Sequence, residues 1–311
     1  MALVLLLYAL FASVFTSAKC ALEVASPFFL IGFRMALAGV IMLGYCLITN
    51  SFTKLTKEGW LRIGLLALIN IYLTNTLELW GLQYLTTFKT CFIYSLSPFL
   101  SALFSYLLFS EVLTRKKWIG LTVGCLGFVP ILLSQTSLEE QTGSVWGFSW
   151  AELAVVGAVI ASVTGWMLLQ RLVTFDGISS VQANGFSMAL GGLLSLLHSS
   201  IVETWQPIPV THYANFFGWT FVLIVVSNFV CYNLYGYLLK RFSATFMSFA
   251  GLSTPYFTAL FGALFLNEEL TVSFFASSLV VSSGLLLFYQ EELKENFEKI
   301  KNKWNLEVQK V

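Results

Sequence analysis

Runs of about twenty apolar residues, separated by short polar stretches, recur along the whole chain. A helix of that length crosses roughly 30 Å of hydrocarbon while satisfying its own backbone hydrogen bonds. Ten such runs fit, over residues 2–22, 27–49, 60–82, 84–109, 116–134, 148–170, 180–202, 216–238, 242–266 and 271–290. The pattern therefore predicts an all-α membrane protein with ten transmembrane helices. No Lys or Arg precedes the first run and no small-residue cleavage site ends it, so it reads as a membrane helix and not as a signal peptide.

The polar punctuation also repeats. Shifted by 157 positions, the stretch from Ala67 to Gln135 falls without a gap on Ile224 to Glu292. Ser97-Pro98-Phe99 then lies on Thr254-Pro255-Tyr256, Glu111 on Glu268, Leu113-Thr114 on Leu270-Thr271 and Gly127 on Gly284. A self-similarity this long is an architecture. It divides the chain into a first five-helix unit over 1–147, a second over 148–290 and a tail over 291–311.

Composition agrees with this class, at 57% hydrophobic and 11% charged. The net charge of +1 points to no polyanionic partner such as nucleic acid, but its distribution is informative. Lys54, Lys57, Arg62, Arg115, Lys116, Lys117, Arg171, Lys240 and Arg241 follow even-numbered helices, whereas Glu139, Glu140, Glu203, Glu268 and Glu269 follow odd-numbered ones. The positive-inside rule then puts both termini in the cytoplasm. Five helices are an odd number, so the two units enter the membrane in opposite senses, as inverted repeats of the kind transporters use.

No nucleophile–base set, His-Glu-x-x-His motif or phosphate loop is present, so the expectation is a protein that is not an enzyme and needs no cofactor or metal. The five scattered cysteines read as small buried hydrophobes. What stands out is charge inside the apolar runs: Lys19, Arg34, Glu78 and Lys89. Such residues line a cavity, pair with one another, or snorkel to an interface when close to a helix end, as Lys19, Glu78 and Lys89 are. Both signs at one depth suit a zwitterionic small molecule, with Glu78 toward a cation and Arg34 or Lys89 toward a carboxylate. An internal Glu78 pair with either base is the structural alternative.

Ile71, Asn75 and Glu78 share a helix face, and their repeat mates are Asn228, Tyr232 and Tyr235. These polar positions, with Tyr72 and Tyr94, form the candidate substrate site, the tyrosines suited to stack on a planar ring or face a cation. Hydrogen bonding between helices is the alternative use. Pro98 and Pro255 each remove a backbone donor within a run and are candidate hinges. Glu111 and Glu268 read as structural anchors. In the tail, Leu293, Phe297, Ile300 and Trp304 share one face of an amphipathic helix, expected on the cytoplasmic membrane surface or against a partner.

The Pro98 helix ending Phe109-Ser110-Glu111, the following helix with Gly120, Gly124 and Gly127, and their echo from Pro255 through Asn267-Glu268 to Gly284 resemble the drug/metabolite transporter superfamily, in its EamA-type branch. The resemblance covers roughly 2–290 and implies secondary active transport across the bacterial inner membrane through a central cavity. The opening Phe11-Ala12-Ser13-Val14-Phe15 with Lys19, the charges and the tyrosines resemble the S-adenosylmethionine importers of intracellular bacteria. That implies uptake in exchange for S-adenosylhomocysteine. An amino-acid or drug exporter of the same fold, or a receptor acting through the tail, are the other readings.

Overall fold

The structure is a computed structural model describing residues 2–109, 114–134, 136–231, 234–235, 238, 247 and 250–308, with backbone alone described over 291–308. The chain is nearly all helical: α1 (Ala2–Leu22), α2 (Pro27–Ile48), α3 (Lys57–Leu66), α4 (Thr74–Tyr84), α5 (Thr87–Tyr94), α6 (Ser97–Phe109), α7 (Arg115–Leu126), α8 (Val129–Leu132), α9 (Ser137–Glu140), α10 (Trp150–Thr174), α11 (Ser180–Val202), α12 (Tyr213–Leu223), α13 (Ser253–Phe265) and α14 (Val272–Val308). A two-residue-per-strand antiparallel hairpin precedes α10. Side-chain oxygens of Thr56, Thr86, Thr114, Ser149 and Ser179 accept amide hydrogens three residues on and start their helices.

Seven helices among the described residues are long and apolar enough to span a membrane: 2–22, 27–48, 57–84, 150–173, 180–202, 213–231 and 272–290. The remaining expected runs differ for local reasons. The run over 84–109 is two helices, because Pro98 cannot donate to the turn before it and the chain leaves the helix at Ser95 and Leu96. Pro98 thus starts α6 and does not bend one continuous helix. The run over 116–134 likewise divides into α7 and α8 just before Pro130. The run over 242–266 lies partly outside the described residues. Its described part, α13, carries Pro255 in its first turn, matching Pro98 in α6.

Two helices contain π turns, at Ala67–Leu73 between α3 and α4 and at Ile224–Cys231 after α12. The 157-residue shift superimposes their first residues, Ala67 and Ile224. Widening a helix frees carbonyls. In the first turn Thr74 Oγ1 donates to the Ile69 carbonyl at 3.0 Å and Asn75 Nδ2 to the Ile71 carbonyl at 2.8 Å.

Met35-Ala36-Leu37-Ala38-Gly39 of α2 reads against Met188-Ala189-Leu190-Gly191-Gly192 of α11, and these repeat mates pack on each other, as do α7 and its mate α14. A Cβ on Gly39 would stand 2.5 Å from the Ala189 nitrogen, and one on Gly192 would stand 2.4 Å from the Ala36 nitrogen. Along α7, Gly120, Gly124 and Gly127 meet Phe288, Gly284 and Val281 in turn. Rising numbers on one helix meet falling numbers on the other, so both pairs run antiparallel. Gly284→Val would drive a side chain into α7 and is expected to lower the Tm in detergent by an amount reflecting about 1–3 kcal/mol of overpacking. Gly218→Ala, where nothing lies within 4 Å, should leave the Tm unchanged or raise it. Equal Tm values for both variants would contradict the close approach.

The backbone of the tail continues α14 without a break to Val308.

Candidate functional site

Helices α1, α2, α4 and α5 bring the central polar group together. Arg34 and Asn75 are buried, and Arg34 Nη2 donates to Asn75 Oδ1 at 2.8 Å. Because Asn75 Nδ2 closes the π turn, its amide oxygen faces Arg34 in one fixed orientation. One turn on, Glu78 Oε2 accepts from the Tyr94 hydroxyl at 2.5 Å, and Arg34 stands within coulombic reach of the same carboxylate. Phe15 sets its ring edge against Tyr94, centroids 5.8 Å apart. Four of the expected residues, Arg34, Asn75, Glu78 and Tyr94, therefore gather as two hydrogen-bonded pairs within coulombic reach of each other, holding a cation, an anion and an aromatic ring.

The other expected residues go elsewhere. Lys19 donates to the carbonyls of Leu82, Gln83 and Leu85 at 2.5, 3.1 and 2.8 Å, so its ammonium caps the C-terminus of α4 with all three hydrogens engaged. Lys89 is 3% exposed and contacts Glu139 Oε2 at 2.5 Å and Glu152 Oε1 at 2.6 Å, while donating to the Ser134 carbonyl at 2.9 Å. It does not join Glu78. Its cluster ties α5 to α9 and to the first turn of α10, where Ser149 and Glu152 form a capping box. Burial pushes the Glu139 carboxyl above the usual carboxylate range, with the Glu152 charge adding to the push and Lys89 opposing it.

Tyr72 points at α11, hydrogen-bonded to His198 Nδ1 at 3.0 Å, with Phe28 stacked on the same imidazole at 4.1 Å. Tyr235 packs beside Tyr8 in the apolar cluster that also holds Cys231 and Leu238. Asn228 is buried in the second π turn. Tyr232 lies outside the described residues, as does Glu111.

Two acidic loop residues act as helix caps across the repeat, only one of them anticipated as an anchor. Glu268, after α13, accepts from Thr87 N and Thr87 Oγ1, both at 2.7 Å, and so caps α5, in the run over 84–109 that mates with its own. Burial raises its carboxyl pKa against those hydrogen bonds. Glu203, after α11, accepts from the amides of Phe28 and Phe29 at 2.8 and 3.0 Å, capping α2, again the mate. Beside the Glu268 cap a cleft of about 220 Å³ is lined by Lys19, Glu23, Tyr84, Thr86, Thr136 and Glu268.

The chain is similar to known proteins along nearly its whole length. The EamA-like transporter family matches residues 1–133 and 149–290. The S-adenosylmethionine/S-adenosylhomocysteine transporter of Chlamydia muridarum (strain MoPn / Nigg) is 37% identical over 93% of this chain and 91% of its own. The protein of that name from Chlamydia trachomatis serovar D is 37% identical over 93% of this chain and 88% of its own. A solved crystal structure covers 92% of the chain with a TM-score of 0.57 at 16% identity, a likeness of fold.

Proposed function

This chain belongs to the EamA-like transporter family, a multi-pass membrane transporter and not an enzyme, and from that premise we propose that it exchanges S-adenosylmethionine for S-adenosylhomocysteine across an inner membrane. The observation that carries the reading is the two neighbouring pairs Arg34–Asn75 and Glu78–Tyr94, which offer a guanidinium and a carboxylate within reach of one molecule. Glu78 takes the ammonium or sulfonium of the substrate and Arg34 its carboxylate, with Tyr94 and Phe15 against the apolar parts. Lys19 and Lys89 brace the helices that hold these groups. Arg34 held by Asn75 and Glu78 held by Tyr94, within coulombic reach of each other, are the resting arrangement that substrate displaces.

The antiparallel contact of repeat mates supports two inverted five-helix units over 1–147 and 148–290. In that reading the broken helices count as spans, ten in all, and both termini are cytoplasmic. Inverted halves exchange conformations and open one site to either side in turn. Breaks at matched positions, before Pro98 and Pro255, are where α6 and α13 swing. The acidic caps from Glu268 and Glu203 hold one face shut until their helices part.

Counterflow tests the reading. Purified protein in vesicles preloaded with unlabelled S-adenosylhomocysteine is expected to accumulate labelled S-adenosylmethionine, and empty vesicles are not. Accumulation that ignores the preload would remove exchange, and none with either preload would remove the substrate.

A further inference from the structure

The repeat is chemically broken at two positions of its third and eighth helices. Ile63 and Ile71 are both buried in apolar clusters. Continued four residues upstream along the same helices, the 157-residue shift pairs them with Thr220 and Asn228, equally buried at 2% and 3% exposure. Neither the Thr220 hydroxyl nor the Asn228 amide nitrogen finds a hydrogen-bond partner among the described residues. Eight residues of plain α-helix would turn two side chains roughly 80° apart. The slower winding of the π turn beginning at Ile224 brings them back toward one face. The helix carrying that face contacts α1 and α2, and α2 also delivers Arg34.

A buried donor without a partner is costly, and the sister half fills the same places with isoleucine at no such cost. Polar groups kept there serve a partner that comes and goes. We propose that Thr220 and Asn228 form a second subsite, for the uncharged polar edge of the substrate. Neither residue carries charge, so the pair suits ribose hydroxyls or purine ring nitrogens and not a carboxylate or a cation. The inference rests on the exchange reading above and divides the substrate between the halves: charged amino-acid end to Arg34 and Glu78, nucleoside to Thr220 and Asn228.

Thr220→Val and Asn228→Leu test it, since both restore the apolar character of the sister half and neither should weaken the fold. Each is expected to raise the KM for S-adenosylmethionine about tenfold, the effect of one lost hydrogen bond in a closed site. Competition by S-methylmethionine, which keeps the sulfonium and amino acid but has no nucleoside, should be unchanged. Equal losses for both compounds, or no loss for either, would overturn the subsite. Adenosine provides a readout independent of transport: it should raise the Tm of the detergent-solubilised native protein and not that of Asn228→Leu. If the wild-type chain exchanges no S-adenosylmethionine yet shows this adenosine difference, the exchange reading fails and the subsite stands. If adenosine stabilises both proteins equally, or neither, the subsite fails.

Discussion

Glu78→Gln is expected to lower uptake of a zwitterionic or sulfonium substrate by about 10- to 100-fold while leaving the Tm within a few degrees. Glutamine keeps the size of the side chain and an oxygen for the Tyr94 hydroxyl, which now donates at 2.5 Å, and removes only the charge. A hydrogen bond to a charged group contributes about 1.5–3 kcal/mol, which is the stated range of uptake. Tyr94→Phe removes the orienting bond but keeps the carboxylate, so its loss should be smaller, within about tenfold. Counterflow rates and Tm values measured on the same preparations check both. Uptake by the Glu78→Gln protein at the native rate would discard the charge assignment and favour a carrier of neutral amino acids or drugs.

Lys89→Met is expected to fail differently, through stability. Glu139 and Glu152 are fully buried at 0% and 1% exposure and lie around this one ammonium. Removing the cation leaves two carboxylates facing each other without water, and breaking a buried pair in this way costs about 3–5 kcal/mol. Adding Glu139→Gln and Glu152→Gln to the Lys89→Met protein should recover most of the lost Tm, because the charges that needed Lys89 are then gone. A Lys89→Met protein with native Tm and a raised KM would instead return this residue to the substrate site.

These two charges illustrate what a single chain discloses. Glu78 and Lys89 look alike in the sequence, each an ionisable residue a few positions from the end of an apolar run. Their fates differ because Glu139 is 50 residues from Lys89 along the chain, and Glu152 is farther, on the far side of a hairpin. No periodicity reports where such a loop folds back. The same holds for Lys19, whose partners are three carbonyls at the end of α4, groups that every residue possesses and no sequence marks. Tyr72 lay on the expected helix, but the π turn before α4 rotates what precedes it, and the ring meets His198 on α11.

What the sequence by itself determined is the class and the plan: an apolar helical membrane chain built twice, with matched prolines, glycines and glutamates, because hydrophobic run length and internal repetition are local or translational properties that survive without coordinates. Arg34, Asn75, Glu78 and Tyr94 were also legible as a set, since polar residues on one face of neighbouring apolar helices have few places to go other than toward each other. Only the tertiary structure decided which charges were already spent on the fold, where helices break or widen, and that repeat mates pack antiparallel through glycines such as Gly39, Gly192 and Gly284. Those outcomes depend on contacts between residues distant along the chain, whose free energy is set by burial and geometry and not by spacing.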